Sequence, residues 1–464
     1  MKTLNLEPML KPKSVAIIGA SKDPEKVGHV ILENYINAGY DGSLYAINKN
    51  AAPNEEMLGV KVLRKIGEIR ERIDLAVIAV PAQIVPMVLE ECGKAKVRTA
   101  VVVSGGFAEI GETELQDKLA SIARKYNVPT LGPNCLGVMD PRSRIDTLFL
   151  PTYKLSRPQV GNVSFVSQSG AVGSTVLDLI SGEGFGLSKF ISYGNAAHVD
   201  EVDILNYLME DDETKVIVMY LEGIKRGKEF IEVAKKITKK KPVIVLKAGR
   251  TSEGMAAAHS HTAALAGNYE AYEAVFRQFG FIISEDISEL LHYAKIFSTE
   301  PPPLGNKIAI ITNGGGAGVL TTDAISASKE LVLGEFSKDT ILALGKTMPK
   351  LVNVRNPLDL AGDADYKRYG TALDLISKDP NIDMIIVIAL FQTPGADSKT
   401  TAALIHFKQS SGKPMAVLSI GASYTEMHKI MMESSGLPVY DSPKAIASSL
   451  LKLREYYQYK NRKD

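Results

Sequence analysis

The sequence predicts an α/β protein made of three doubly wound units in tandem, and three observations predict it. At roughly 100 to 200 residues per domain, a chain of this length allows about three domains; it has 464 residues. Short β-branched apolar runs alternate with longer stretches of helical period, the pattern of parallel sheets covered by helices on both faces. Two proline-bearing breaks interrupt it, Pro151–Pro158 (PTYKLSRP) and Ser298–Gly305 (STEPPPLG). The proline triplet is the stronger break, because consecutive prolines lack N–H donors and hold the chain extended. The expected units are residues 1–150, 159–298 and 306–464.

In the first unit Ser14–Ile18, Leu44–Ile47, Leu75–Val80 and Thr99–Val103 read as strands, four runs that suit a Rossmann-like unit. In the second, Asn162–Val166, Val216–Leu221 and Val243–Leu246 repeat the theme, and in the third Lys307–Ile311, Met384–Ala389 and Met415–Leu418 do so. Ligands of such sheets bind beyond the carboxyl ends of the strands, so the residues just after each run are where chemistry is sought.

Composition narrows the partners. Lys and Arg number 54 against 53 Asp and Glu, a net charge of +1, which offers no bulk attraction to nucleic acid or anionic lipid. With 45% hydrophobic and 23% charged residues the chain has an ordinary globular core to bury. Two cysteines, Cys92 and Cys135, are too few for a disulfide framework or a thiolate metal cage and point to a reducing cytoplasm. No apolar run approaches the roughly 18 residues of a membrane span, and the first residues lack the apolar core of a signal peptide. A soluble, unprocessed protein is expected.

The first strand runs into Gly19-Ala-Ser-Lys-Asp-Pro-Glu-Lys-Val-Gly28 and then a helical stretch. Small residues let the backbone approach a phosphate, Ser21 adds a hydroxyl, and the helix aims its positive end at the anion. Ala20-Ser21 stands where G-x-G-x-x-G has its second glycine. The second strand ends Ile47-Asn48-Lys49 rather than in the acidic residue that grips the ribose diol of NAD. Lys49 suits a ribose phosphate, as in NADP or the 3′-phosphate of coenzyme A, or is a solvated loop charge. Val80-Pro81 and Ser104-Gly-Gly-Phe107 follow later strands, as does Gly132-Pro-Asn-Cys-Leu-Gly137; they could wall the pocket or be turn chemistry.

Two more strand-to-helix turns follow. Ser167, Gln168, Ser169 and Gly170 would surround a helix N-terminus with N–H and hydroxyl donors, or form a plain serine cap. Asn313-Gly314-Gly315-Gly316 is the sharper signal: glycine costs about 1 kcal/mol relative to alanine in a helix, so three in a row imply a backbone that something approaches closely. The absence of a following lysine argues against a Walker P-loop, and Asn356–Gly362 reads as a second loop on the same edge.

Between these turns lies the small-residue stretch Gly249–Gly267 with two of the seven histidines, His259 and His261. Two histidines without a third ligand make an incomplete metal site, so no metal is expected. A nucleophilic imidazole instead needs an orienting acceptor on its second nitrogen, and Glu222, at the end of Val216–Leu221, could be that acceptor. A packed structural histidine is the remaining alternative.

Together these residues resemble the α subunit of ADP-forming acetyl-CoA synthetase, within the succinyl-CoA synthetase superfamily. The resemblance covers the whole chain and is most specific at Ser260-His-Thr262 with Leu265-Ala-Gly267, preceded by Lys247-Ala-Gly-Arg-Thr251; Ala263 stands where the family has glycine. It implies a Rossmann-like CoA-binding domain followed by two flavodoxin-like domains, and the reaction acyl-CoA + ADP + phosphate ⇌ acid + ATP + CoA through acyl phosphate and phosphohistidine. It implies His261 as the phosphorylated histidine and Glu222 as its hydrogen-bonding glutamate. The Ser167–Gly170 and Asn313–Gly316 turns correspond to helix N-termini that hold the phosphoryl group from opposite sides. Gly19, Ala20, Ser21, Gly28, Asn48, Lys49, Val80, Pro81 and Ser104 fall in the coenzyme A loops. The family also needs an ATP-grasp module for ADP or ATP and Mg2+, and no segment here supplies one, which implies a separate β subunit in an α2β2 heterotetramer. Two competing readings are a non-catalytic CoA-sensing protein and an NADP-dependent oxidoreductase.

Overall fold

The structure, a computed structural model, describes residues 4–255 and 268–462. It holds three sheets in two compact units, Met1–Gly182 with Gly186–Glu285, and Glu183–Phe185 with Asp286–Asp464.

The first unit contains two sheets. One is built from β1 (Ser14–Ile18), β2 (Ser43–Ile47), β3 (Glu56–Met57), β4 (Val60–Leu63), β5 (Leu75–Ile78), β6 (Thr99–Val102) and β7 (Thr130–Leu131), in the order β3-β4-β2-β1-β5-β6-β7. Every pair is parallel except β3 with β4. The chain winds outward from β1 in both directions, which opens a crevice beyond the carboxyl ends of β1 and β5. β1, β5 and β6 are buried along their whole length, as their unbroken apolar runs require.

The second sheet comprises β8 (Gly137–Asp140), β9 (Ile145–Asp146), β10 (Val160–Ser167), β11 (Leu187–Ser192), β12 (Val216–Leu221), β13 (Val243–Lys247) and β14 (Ile282–Ile283), ordered β14-β13-β12-β10-β11-β8-β9. Its β8 and β9 are antiparallel additions from before the Pro151–Pro158 segment, so the chain crosses into this sheet ahead of that break. One apolar core runs through both sheets, from Val15 and Leu131 to Ile191, Met219 and Val245.

β11 has no counterpart among the apolar runs. Its sequence, Leu-Ser-Lys-Phe-Ile-Ser, reads as a half-exposed segment, yet all six residues are buried. Lys189 explains this: its ammonium lies 2.8 Å from Glu213, 3.0 Å from Asp211 and 3.5 Å from Asp140. A buried cation is tolerated only when paired in this way. Burial opposes the charge, but the three carboxylates win and hold the ammonium above its ordinary value.

The second unit has one parallel sheet of β15 (Lys307–Thr312), β16 (Val332–Leu333), β17 (Leu358–Asp359), β18 (Met384–Ile388), β19 (Met415–Leu418) and β20 (Val439–Tyr440), ordered β16-β15-β18-β19-β20 with β17 also on β15. Its core packs Ile311, Leu373, Val387 and Val417 among others. Within this unit Lys295 is paired with Glu183 and Glu433, both at 2.5 Å.

Two glycines of the first turn are required by packing. Gly19 has φ +100°, and a Cβ on it would overlap the Ala79 carbonyl; a Cβ on Gly28 would overlap the Gly19 carbonyl. The helix Val27–Asn37 can therefore sit this close to β1 only with glycine at its second position. Gly28→Ala is expected to lose about 1 to 3 kcal/mol of stability in thermal unfolding. Gly67→Ala, where an added Cβ meets nothing within 4 Å, is expected to stay within about 0.5 kcal/mol of the parent.

Candidate functional site

All nine residues proposed for the coenzyme A loops line a single cavity of about 1050 Å³ at the carboxyl ends of β1, β2, β5 and β6. Asn48 ties the first two turns together, its side-chain amide donating to the Ala20 carbonyl at 2.8 Å. Ser104 donates to the Val80 carbonyl at 2.6 Å, which joins the next two. The Gly19 and Ala20 N–H groups both donate to the Ile47 carbonyl, so neither serves as an anion donor. Donors left in this turn include Ser21 and the N–H groups of Val27 and Gly28 at the helix start.

Four cations, Lys26, Lys49, Arg64 and Lys65, line the cavity against one acid, Glu91. Sequence reasoning found only Lys49. Arg64 and Lys65 follow β4 directly, and the four-residue run Val60–Leu63 was the signal that would have placed them at a strand end. Lys26 precedes the helix Val27–Asn37, where its charge adds to the helix's positive end.

A second cavity of about 380 Å³ shares Val103, Asn134 and Phe149 with the first and reaches Gln168, Ser169, Gly170 and Ala171. The helix Gly170–Gly182 starts there. Ser169 caps it, accepting the Val172 N–H at 3.3 Å on its hydroxyl and the Gly173 N–H at 3.0 Å on its carbonyl. The Gly170 and Ala171 N–H groups are left as the helix's spare donors among the described residues, and both residues face this cavity. Ser167 does not: it is fully buried and its hydroxyl donates to the Ser169 carbonyl at 2.7 Å. Cys135 also lines this cavity, but burial pushes its thiol up to about 12, which leaves it protonated and unreactive near neutral pH.

Gln168 connects this helix start to Glu222. Its side-chain oxygen accepts the Glu222 and Gly223 N–H groups at 2.8 and 3.1 Å, and its own N–H donates to the Tyr220 carbonyl at 3.2 Å. Glu222 is 5% exposed. The Tyr220 hydroxyl is pushed up to about 12, by burial first and then by the charge and hydrogen bond of Glu222. His261 and His259 lie outside the described residues, as does the whole of 256–267. The described chain enters that stretch from β13, whose last residue, Lys247, is paired in register with Leu221 beside Glu222.

In the second unit the helix Gly315–Ala327 starts on Asn313–Gly316. Asn313 is 2% exposed and its side chain is committed internally, donating to Leu390 and Thr393 at 3.0 and 2.8 Å and accepting the Leu390 N–H at 2.9 Å. Only its backbone remains for an anion. What approaches the glycines closely is the protein itself: a Cβ on Gly315 would lie 2.8 Å from Asp359 Oδ2, and one on Gly314 would overlap Leu390, while Gly316 is open. Asp359 reaches this turn because β17 pairs with the end of β15, and its carboxylate competes with any phosphate at that helix start. Among the described residues no group of three or more His, Cys, Asp or Glu side chains could hold a metal ion, and no helix is long and apolar enough to cross a membrane.

Comparison with known proteins agrees with this layout. Residues 13–141 match a CoA binding domain, 160–297 a succinyl-CoA ligase like flavodoxin domain and 308–406 a ligase-CoA domain. The acetate–CoA ligase (ADP-forming) II subunit alpha of Pyrococcus furiosus is 39% identical over 96% of this chain and 96% of its own. The chain belongs to the ADP-forming acetate–CoA ligase family. The acetate–CoA ligase (ADP-forming) of Methanocaldococcus jannaschii is also 39% identical over 98% of this chain, which spans 63% of that protein's length. A dinucleotide forming acetyl-coenzyme A synthetase 1 of Ca. Korarchaeum cryptofilum, solved with phosphate and ADP, superposes with a TM-score of 0.91 at 34% identity, covering 98% of this chain and 97% of that one. Relatives matched over nearly the whole chain are ligases, so neither the CoA-sensing nor the oxidoreductase reading is favoured.

Gln168→Leu removes the acceptor of two buried N–H groups in this ligase. Each costs about 1 to 3 kcal/mol when left unpaired, so urea unfolding is expected to show a loss of at least about 2 kcal/mol. Thr175→Ala, on the exposed side of the same helix, is expected to change stability by less than about 0.5 kcal/mol.

Proposed function

We propose that this chain is the α subunit of an ADP-forming acyl-CoA ligase acting through an acyl phosphate and a phosphohistidine on His261. The observation that carries the reading is the shared wall of the two cavities: the cation-rimmed one adjoins the one at the Gly170 helix start, and Gln168 fastens that start to Glu222.

The first cavity suits coenzyme A. Its volume of about 1050 Å³ suits a nucleotide with a pantetheine arm, its turns are glycine-cleared, and Lys26, Lys49, Arg64 and Lys65 suit a pyrophosphate and a 3′-phosphate. The shared wall would present the thioester in the second cavity, where the Gly170 and Ala171 N–H groups would hold phosphate. A phosphate oxygen attacks the thioester carbonyl, the C–S bond breaks, and the thiol leaves with an acyl phosphate formed. A ring nitrogen of His261 then attacks phosphorus, and the P–O bond to the acyl group breaks to release the acid as carboxylate. Glu222 would hold the proton on the other ring nitrogen and balance the positive phosphoimidazole.

The Asn313–Gly316 turn would act as the second phosphate cradle through backbone alone. Phosphoryl transfer is governed by positioning and charge stabilisation, which is what helix starts provide. ADP, ATP and Mg2+ would bind an ATP-grasp β subunit, in an α2β2 assembly. That this chain spans 96% of one family member and only 63% of another supports that division. The buried thiols of Cys92 and Cys135 fit a cytoplasmic setting.

Incubated with acetyl-CoA and labelled phosphate, the protein is expected to take up label, and His261→Ala to abolish that uptake while His259→Ala retains it. Retention in His261→Ala with loss in His259→Ala would reassign the nucleophile. Lys49→Ala is expected to weaken coenzyme A binding roughly three- to tenfold in calorimetry while leaving dephospho-coenzyme A nearly unchanged. Equal weakening of both ligands would remove the 3′-phosphate from Lys49.

A further inference from the structure

Lys247 closes β13 and is 2% exposed, an unusual place for an ammonium unless a charge faces it. β13 lies in parallel register with β12, Leu221 opposite Lys247, and the Ala248 N–H donates to the Leu221 carbonyl at 2.8 Å. The two strand ends, and with them Lys247 and Glu222, are therefore held side by side.

The surroundings of the ammonium are sparse. It donates to the Ala248 carbonyl at 2.5 Å and sits 4.7 Å above the Tyr272 ring. The Tyr272 hydroxyl in turn accepts the Ile224 N–H at 3.3 Å, which pins this ring to the Glu222 loop. From the β14 side Ile282 and Ile283 bring only apolar side chains. Glu222 is the charged group that acts on Lys247 among the described residues. One carbonyl and one ring face do not satisfy three ammonium N–H groups, and the Glu222 charge acts on the ammonium to favour the cation against its burial.

We infer that Lys247 is a positioning residue of the phosphoryl-transfer site, the buried counter-charge of Glu222. It holds the carboxylate anionic and oriented between Tyr220 and the Gln168 anchor. The inference rests on the reading that Glu222 serves that site. Burial lowers the ammonium to about 8, with Glu222 acting in the opposite direction. The cation is thus present below about pH 8 and lost above it, taking the counter-charge with it.

The test combines a direct titration with a cycle of variants. The Lys247 side-chain carbon signal, assigned by its absence from Lys247→Met, is titrated by NMR in the parent and in Glu222→Gln. Its midpoint is expected to fall by at least about half a pH unit in Glu222→Gln, because the carboxylate that favours the cation is gone. An unmoved midpoint overturns the inference whatever the enzyme does.

In acetyl-CoA-dependent phosphate uptake, Lys247→Met is expected to be slowed about tenfold or more, equivalent to one pH unit of lost charge preference. The parent's uptake should decline above about pH 8, and Lys247→Arg, charged at every accessible pH, should lose that decline. The double variant Lys247→Met with Glu222→Gln should be no slower than Glu222→Gln alone, since both remove one interaction. Multiplying losses, or a Lys247→Met variant within twofold of the parent with the same pH profile, overturns it. If the parent takes up no phosphate at all, the functional reading fails and the titration alone decides the pairing.

Discussion

Gln168 Oε1 accepts two N–H groups from the loop after β12, at Glu222 and Gly223, and the site in the first unit depends on that contact. Both N–H groups are buried, and among the described residues no strand pairs with the chain beyond β12's end to accept them. Without an acceptor each would cost more than a single hydrogen bond contributes. One side-chain oxygen therefore sets the distance between a helix start with two spare donors and a buried carboxylate. Parallel register does the rest: β10, β12 and β13 end at one edge, so Ser167, Leu221 and Lys247 stop side by side.

The same economy shapes the larger cavity. Its wall is made of four strand ends tied in pairs by Asn48 to Ala20 and Ser104 to Val80, and the cations stand exposed on the rim. Interior charges are handled differently. Lys189 and Lys295 are each neutralised by two or more carboxylates, whereas on Lys247 only the Glu222 charge acts among the described residues. That difference separates an ammonium whose work is architectural from one still able to gain or lose its proton near neutral pH.

The strand ends were legible in the sequence because a strand buried on both faces must be a continuous apolar run, and the residues that stop it stand out. Gly19, Asn48, Val80 and Ser104 could be picked for that reason, and the structure brings them to one cavity. β11 was not legible, because Lys189 and two serines mark a surface until three carboxylates from distant positions are seen around it. The polar turn residues were legible as a class but not by task. Ser167 and Asn313 carry donors of the right kind, yet both are consumed by neighbouring carbonyls, a fact that only neighbours separated by a fold can decide.

By itself the sequence determined the α/β class, the places where strands give way to helices, and the family to which the chain belongs. Each of these follows from local pattern: apolar runs, small residues at turns, and a histidine-bearing motif in a set order. Tertiary structure alone decided that two sheets share one core, that Asp359 stands against Gly315, and that Gln168, Glu222 and Lys247 form one cluster. The reason is physical. Those three residues are 54 and 25 positions apart along the chain, and only the register of parallel strands, set by burial of their flanks, brings them within reach of one another.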